Sequence, residues 1–155
     1  MKDCEDYCWP DKLNLFNFFD GKSMAYGLFQ DRFGNVRRRF YVVIEGAVLD
    51  DELTLSEYFV YDDGQVENRT WTIHHNRSDS YAGSADDVVG IAKGAGYDDS
   101  FNWRYDMRLA IQGRMVKVSF DDWTYAMPNN VLLNQAVVRK WGIKVGTVFI
   151  SFVKQ

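Results

Sequence analysis

Between Phe101 and Gln112, large apolar residues take every odd position and polar or charged residues take nearly every even one. A period of two held over twelve residues is incompatible with an amphipathic helix and predicts a long β-strand with one dry and one wet face. The same alternation recurs along most of the chain. It predicts strands near Ser23–Gln30, Val36–Glu45, Glu52–Tyr61, Val66–His75, Ser80–Lys93, Arg114–Met127, Val131–Lys140 and Val145–Val153. Turn chemistry separates them: Asp31-Arg32-Phe33-Gly34-Asn35, Asp62-Asp63-Gly64-Gln65, Asn76-Arg77-Ser78-Asp79, Gln112-Gly113 and Pro128-Asn129-Asn130. The fifth strand is rich in Gly and Ala and is expected to bulge, with Gly94-Ala95-Gly96 as a flexible link to the next. No long helix is predicted.

Eight to ten strands joined by short links make an antiparallel meander. Such a sheet must protect its edges, and closing on itself removes them. The expected fold is therefore all-β: an antiparallel up-and-down barrel filling residues 1–155 as one domain, with a two-sheet sandwich as the competing arrangement. Residues 1–20 differ in character. Pro10-Asp11-Lys12 opens a helical turn, and Leu13, Leu15, Phe16, Phe18 and Phe19 supply anchors for a segment that closes one end.

Composition sharpens this picture at one point. Aromatic residues reach 16% of the chain, with five Trp, nine Tyr and eleven Phe. They either fill a small β core or line a cavity for an apolar ligand. A net charge of −4 argues against nucleic acid as partner, and Arg37-Arg38-Arg39 does not reverse this, because neighbours on a strand face opposite ways. No run approaches the roughly 20 apolar residues of a membrane span. No signal peptide is visible at the polar start, so the chain as written reads as cytoplasmic; a trimmed chain would place it in the periplasm or at a membrane.

Candidate chemistry is sparse. Cys4 and Cys8 have no metal half-site spacing, and two free thiols are the plainer reading against a disulfide that closes a tiny loop. His74 and His75 are adjacent on a strand and cannot chelate one ion together. No Gly-x-Ser-x-Gly, Gly-rich phosphate loop or zinc motif occurs, so no cofactor or metal is expected. Five acidic doublets stand out, three of them in turns where Asp bonds its own backbone. Asp86-Asp87 and Asp121-Asp122 fall in predicted strands. Asp122 shares parity with Val116, Val118 and Phe120 and is the better candidate for an inward carboxylate, with Arg38 and Arg104 as available counter-charges. Glu57 likewise sits among Leu53, Leu55, Phe59 and Tyr61.

Several segments together resemble a bacterial family of lipocalin-like (calycin-like) lipoproteins catalogued as a domain of unknown function. They are Phe29-Gln30-Asp31-Arg32-Phe33-Gly34, Phe59-Val60-Tyr61-Asp62-Asp63-Gly64, Ala85-Asp86-Asp87-Val88-Val89-Gly90, Asn102-Trp103-Arg104-Tyr105 and Phe120-Asp121-Asp122-Trp123. Leu132-Leu133-Asn134-Gln135-Ala136 and Lys140-Trp141-Gly142 extend the resemblance, which covers about residues 16–154. It implies a lipocalin-like barrel and, from fatty-acid modification settings of some members, a lipid ligand. It carries no catalytic residues.

The expected function is binding or presentation of a small hydrophobic, fatty-acyl or lipid-like molecule inside the barrel. Phe40, Phe59, Trp103, Tyr105 and Phe120 would form the apolar lining, and Arg38, Arg104 and Asp122 would orient a polar head. Strict alternation puts Arg104 on the wet face, so its part requires a bulge or an inverted face. Two alternatives remain: an isomerase, cyclase or hydrolase using Asp122, Glu57 or His75 on the same class of molecule, and an assembly protein with a filled core. Peripheral membrane contact is a further partner the sequence leaves open.

Overall fold

The computed structural model describes residues 8–111 and 113–155. One short helix precedes ten strands: α1 (Leu15–Phe19), β1 (Gly21–Asp31), β2 (Val36–Leu49), β3 (Glu52–Tyr61), β4 (Val66–His75), β5 (Ser80–Ser84), β6 (Val88–Tyr97), β7 (Ser100–Ile111), β8 (Arg114–Met127), β9 (Val131–Lys140) and β10 (Ile143–Lys154). Each strand pairs antiparallel with its sequence neighbour, and β10 returns to β1, so the sheet is a closed up-and-down barrel. The all-β, antiparallel up-and-down barrel expected from the alternation is the fold observed.

Two readings of the middle of the chain need correction. The segment 80–93 is two strands, not one. β5 ends at Ser84, the chain turns through Asp86 and Asp87, and β6 starts at Val88. Gly94-Ala95-Gly96 is not a link but part of β6, pairing with Trp103, Asn102 and Phe101 of β7. These small residues exist because Trp103 lies on them. A Cβ added at Gly83 would meet the Trp103 ring at 2.7 Å, and one added at Gly94 would meet it at 2.5 Å. Low side-chain volume at Gly83 and Gly94 is room for an indole and not flexibility.

The barrel has two unlike ends. At one, α1 is capped by Asn14, whose side chain accepts from Asn17 N–H at 3.1 Å. Phe19 packs edge-on against Phe152 at 5.3 Å. Gly46 lets the helix come this close: a Cβ there would fall 1.8 Å from the Phe19 carbonyl oxygen. Lys154 Nζ then ties the lid down by donating to the carbonyls of Asn17, Phe18 and Asp20 at 2.9, 2.8 and 2.8 Å. The other end, bounded by the β1–β2, β3–β4 and β5–β6 turns, carries no such lid among the described residues.

The wall is regular except on one side. β4 pairs with β5 only over Thr72–His75. Its first half, Val66–Trp71, faces the β5–β6 turn without a ladder, and side chains span the gap instead. No helix among the described residues is long and apolar enough to cross a membrane. Cys8 is disulfide-bonded rather than a free thiol; Cys4 lies outside the described residues.

Candidate binding site

Alternation carries one face of every strand to the barrel axis. Val42, Ile44, Leu53, Leu55, Phe59, Trp71, Ile73, Phe101, Trp103, Met107 and Leu132 form its buried part. The rings are arranged edge to face and stacked: Trp71 with Trp103 at 5.6 Å and with Tyr105 at 5.2 Å, and Tyr105 on Phe120 at 5.0 Å. Such pairs contribute about 0.5–1.5 kcal/mol each beyond the area they bury. Phe40, Tyr61, Tyr105, Phe120 and Ile150 also face the axis yet are only partly buried.

Polar groups on this lining form two sets. The first lies at the unlidded end. Arg38 stacks over Tyr61, its guanidinium carbon 3.3 Å from the ring centroid, and donates to Gln65 at 2.9 Å beside Asp63 at 3.4 Å. Tyr61 donates its hydroxyl to Glu67 at 2.8 Å, and Glu67 accepts from Arg69 at 3.0 Å. Arg69 in turn forms a fork with Asp87 at 3.0 and 2.8 Å. This fork spans the stretch where β4 lacks a partner on its β5 side. The chain of contacts runs from the β3–β4 turn to the β5–β6 turn and half-rings the mouth. Burial disfavours the Arg69 cation, but Asp87, Glu57 and Glu67 more than restore it and hold it charged.

The second set lies deeper. Burial pushes Glu57 up to about 7, against the pull of Arg69 and the Trp71 indole; Asp87 and Asp122 add to the rise. Burial likewise pushes Asp122 up to about 7, offset in part by the Asn134 amide that donates to it, with Asp121 raising it further. Asn134 also donates to Thr124 at 2.8 Å. Burial, then the Asp122 charge, pushes the Tyr105 hydroxyl well above its ordinary value, so it stays protonated. Two acceptors in this set have no partner: Glu57 Oε1 and Asn134 Oδ1, both fully buried. At the mouth, the Arg38 Nε donor is likewise unpartnered. Each such atom costs about 1–3 kcal/mol if left unsatisfied.

Most residues expected from the sequence converge here. Phe40, Phe59, Trp103, Tyr105, Phe120 and Asp122 face the axis, and Arg38 sits at its rim. Arg104 does not. β7 is unbroken at this position, and the Arg104 side chain lies outside, 68% exposed, beside Asp121 at 3.5 Å. Neither Arg38 nor Arg104 is the counter-charge of the deep carboxyls; that part falls to Arg69 for Glu57, and Asp122 has the Asn134 amide instead. Asp87 lies in the turn, not in a strand, and reaches inward through Arg69. His75 is remote from this set. It stacks on Tyr81 at 4.5 Å near α1, with its Nε2 2.6 Å from the Ser78 carbonyl, so it does not join Asp122 and Glu57.

Sequence reasoning missed Arg69, Glu67, Trp71 and Asn134. The signal was present: Glu67 and Arg69 share parity with Trp71 and Ile73, and Asn134 shares it with Leu132, Ala136 and Val138. Among the described residues no three His, Cys, Asp or Glu side chains group as metal ligands.

Two concavities accompany the lining. One, of about 530 Å³, lies on the β8–β9–β10–β1–β2 wall and reaches inner residues Gly27, Phe40, Asn134 and Ile150, the rest of its boundary being outer side chains. The other, of about 450 Å³, touches Tyr105 and Phe120 from the β6–β7 irregularity.

The family described as "Protein of unknown function (DUF3833)" matches residues 3–154. No curated protein matches the chain. Among solved structures, an S-type phycobiliprotein lyase from Guillardia theta superposes with a TM-score of 0.66 at 9% identity, covering 90% of each chain. A proposed lipoprotein from Parabacteroides distasonis superposes with a TM-score of 0.42 at 8% identity, covering 96% of this chain and 98% of that one. At 9% identity the first likeness establishes the barrel fold and nothing about residues.

Proposed function

The chain belongs to the DUF3833 family, and from its interior we propose that the barrel binds one small, mainly apolar molecule of fatty-acyl or related lipid-like character. The observation that carries this reading is the deep polar set. Glu57 Oε1 and Asn134 Oδ1 are buried in an aromatic surround and lack partners. A solid structural core has no use for such atoms, because replacing them by apolar groups would be neutral or stabilising. A binding site uses a few placed polar groups against apolar walls to fix a ligand's orientation. In this reading Trp71, Trp103, Tyr105 and Phe120 form the walls. The lid of α1 closes one end, and the rim bearing Arg38, Tyr61 and Glu67 is where the ligand enters. The up-and-down barrel shared with the phycobiliprotein lyase is a scaffold compatible with an interior site.

Native mass spectrometry of gently purified protein tests this directly. The expected result is a one-to-one adduct of a few hundred daltons, a size on the order of what pockets of ~300–1,000 Å³ enclose. Absence of any adduct, together with no change in tryptophan emission on adding straight-chain acids, alcohols or amines, would remove the reading and leave the filled-core alternative.

A further inference from the structure

Given that the interior binds a ligand, its inner lining also sets the ligand's polarity. We propose that the deep site receives a hydrogen-bond-donating, cationic group, a protonated amine or a charged N–H heterocycle, and not a carboxylate. Three observations converge. First, the unpartnered buried atoms of the deep set are acceptors. Both N–H directions of the Asn134 amide are taken by Asp122 and Thr124, so Oδ1 is what remains, and Asn134 is only 7% exposed. Glu57 Oε1 is the second. An occupant must donate to them. Second, charge on the deep lining is unbalanced. It carries two carboxyl groups, Glu57 and Asp122, and no cation of its own, the nearby Arg69 of the rim set being already engaged by Asp87 and Glu67. Third, the unpartnered guanidinium N–H, Arg38 Nε, is at the rim, and the remaining unpartnered buried side-chain atom among the described residues, Ser23 Oγ of β1, is a hydroxyl that accepts as well as donates.

Above about pH 7 a carboxylate head placed deep would meet Glu57 and Asp122 as like charges, whereas an ammonium would meet their oxygens. The groups that face Glu57 are Arg69 and Trp71 of β4, Asp87 of the β5–β6 turn, Tyr105 of β7 and Asp122 of β8. Those that act on Asp122 are Asn134 of β9, Tyr105 of β7, Glu57 of β3 and its own neighbours Asp121 and Thr124. Of the two deep carboxyls, Arg69 acts on Glu57 and not on Asp122. Both carboxyls carry a proton over much of the range below 7. Seating a cation therefore expels protons at pH 6.

The test is titration calorimetry and tryptophan quenching with decylamine, decanol and decanoic acid at pH 6 and pH 8. The expected order of affinity is amine, alcohol, acid, with at least a tenfold gap between amine and acid. Amine binding at pH 6 releases protons, seen as a heat that scales with buffer ionisation, and tightens toward pH 8. Glu57→Gln and Asp122→Asn each weaken the amine at least tenfold while changing decanol less than threefold. Decanoic acid binding as tightly as decylamine overturns the inference but leaves the binding function intact; failure of all three chains to bind removes the function itself. Should Asp122→Asn not fold, the wild-type order and Glu57→Gln decide. Unchanged amine affinity in Glu57→Gln, with no proton release in the wild type, contradicts the deep cation site.

Discussion

Replacing Glu57 by Gln should stabilise this protein, increasingly so as pH rises from 4.5 to about 7 and in full above that. Glu57 ionises at 4.5 in an unfolded chain and at about 7 in the barrel, because burial penalises its charge more than Arg69 and Trp71 favour it. The folded state therefore holds its proton where the unfolded state has lost it. The contribution of this residue is full below 4.5, declines as pH rises and levels off above about 7. The interval between 4.5 and about 7, at 1.36 kcal/mol for each tenfold change in proton affinity, amounts to about 3 kcal/mol. Gln is nearly isosteric, keeps an acceptor for the Trp71 indole and has nothing to ionise. Urea unfolding at pH 5 and pH 8 reads the difference. At pH 5 the variant and wild type should lie within about 1 kcal/mol of each other. At pH 8 the variant should be more stable by about 3 kcal/mol, which in a chain of this size raises the melting temperature by roughly 6–12 °C. Equal offsets at the two pH values, or a variant less stable at pH 8, would refute the claim that an ionisable group is buried against its preference.

Other consequences follow from single contacts. Gly46→Ala puts a methyl 1.8 Å from the Phe19 carbonyl oxygen, where ordinary contact begins at 3.4 Å, so α1 must retreat by about 1.6 Å or the strand must yield. The expected result is a loss of about 1–3 kcal/mol with faster amide exchange at residues 15–20; unchanged exchange there would show that the lid is not seated on Gly46. Arg69→Met leaves Asp87 and Glu67 without their shared cation across the unladdered half of β4. A loss of about 1–3 kcal/mol is expected, because Asp87 and Glu67, at 27% and 37% exposure, are partly solvated once their cation is gone, read by urea unfolding at pH 7, and a loss under about 0.5 kcal/mol would mean that the fork does not hold that seam.

Strict alternation made most of the barrel legible. β3, β4, β8 and β9 begin and end where polarity and turn residues place them, because each has one wet face and its register is fixed by the two-residue period. β5 and β6 were less legible for the opposite reason. Their inner positions Gly83 and Gly94 are small because a neighbour's indole occupies their volume, and a single strand does not display its neighbour's size. The aromatic wall and Asp122 followed from parity alone. Arg69 did not, since a guanidinium on an inward position reads as an error until the Asp87 that faces it across a strand gap is known. Asn134 is similar: its role depends on a carboxyl twelve residues away on the adjacent strand.

The central claim is that a ligand sits on the inner face and not in the outer concavity of the β8–β2 wall. Tryptophans on opposite sides of the sheet separate the two. Trp71 and Trp103 are buried on the inner face, whereas Trp9 and Trp141 are exposed and Trp123 stacks with Tyr125 on the outer face. A brominated ten-carbon amine should quench emission saturably, at one equivalent, in a Trp9→Phe, Trp123→Phe, Trp141→Phe variant that retains only the inner pair. Quenching abolished in that variant but preserved when Trp71 and Trp103 are replaced by Phe would place the chain outside the barrel and contradict the account.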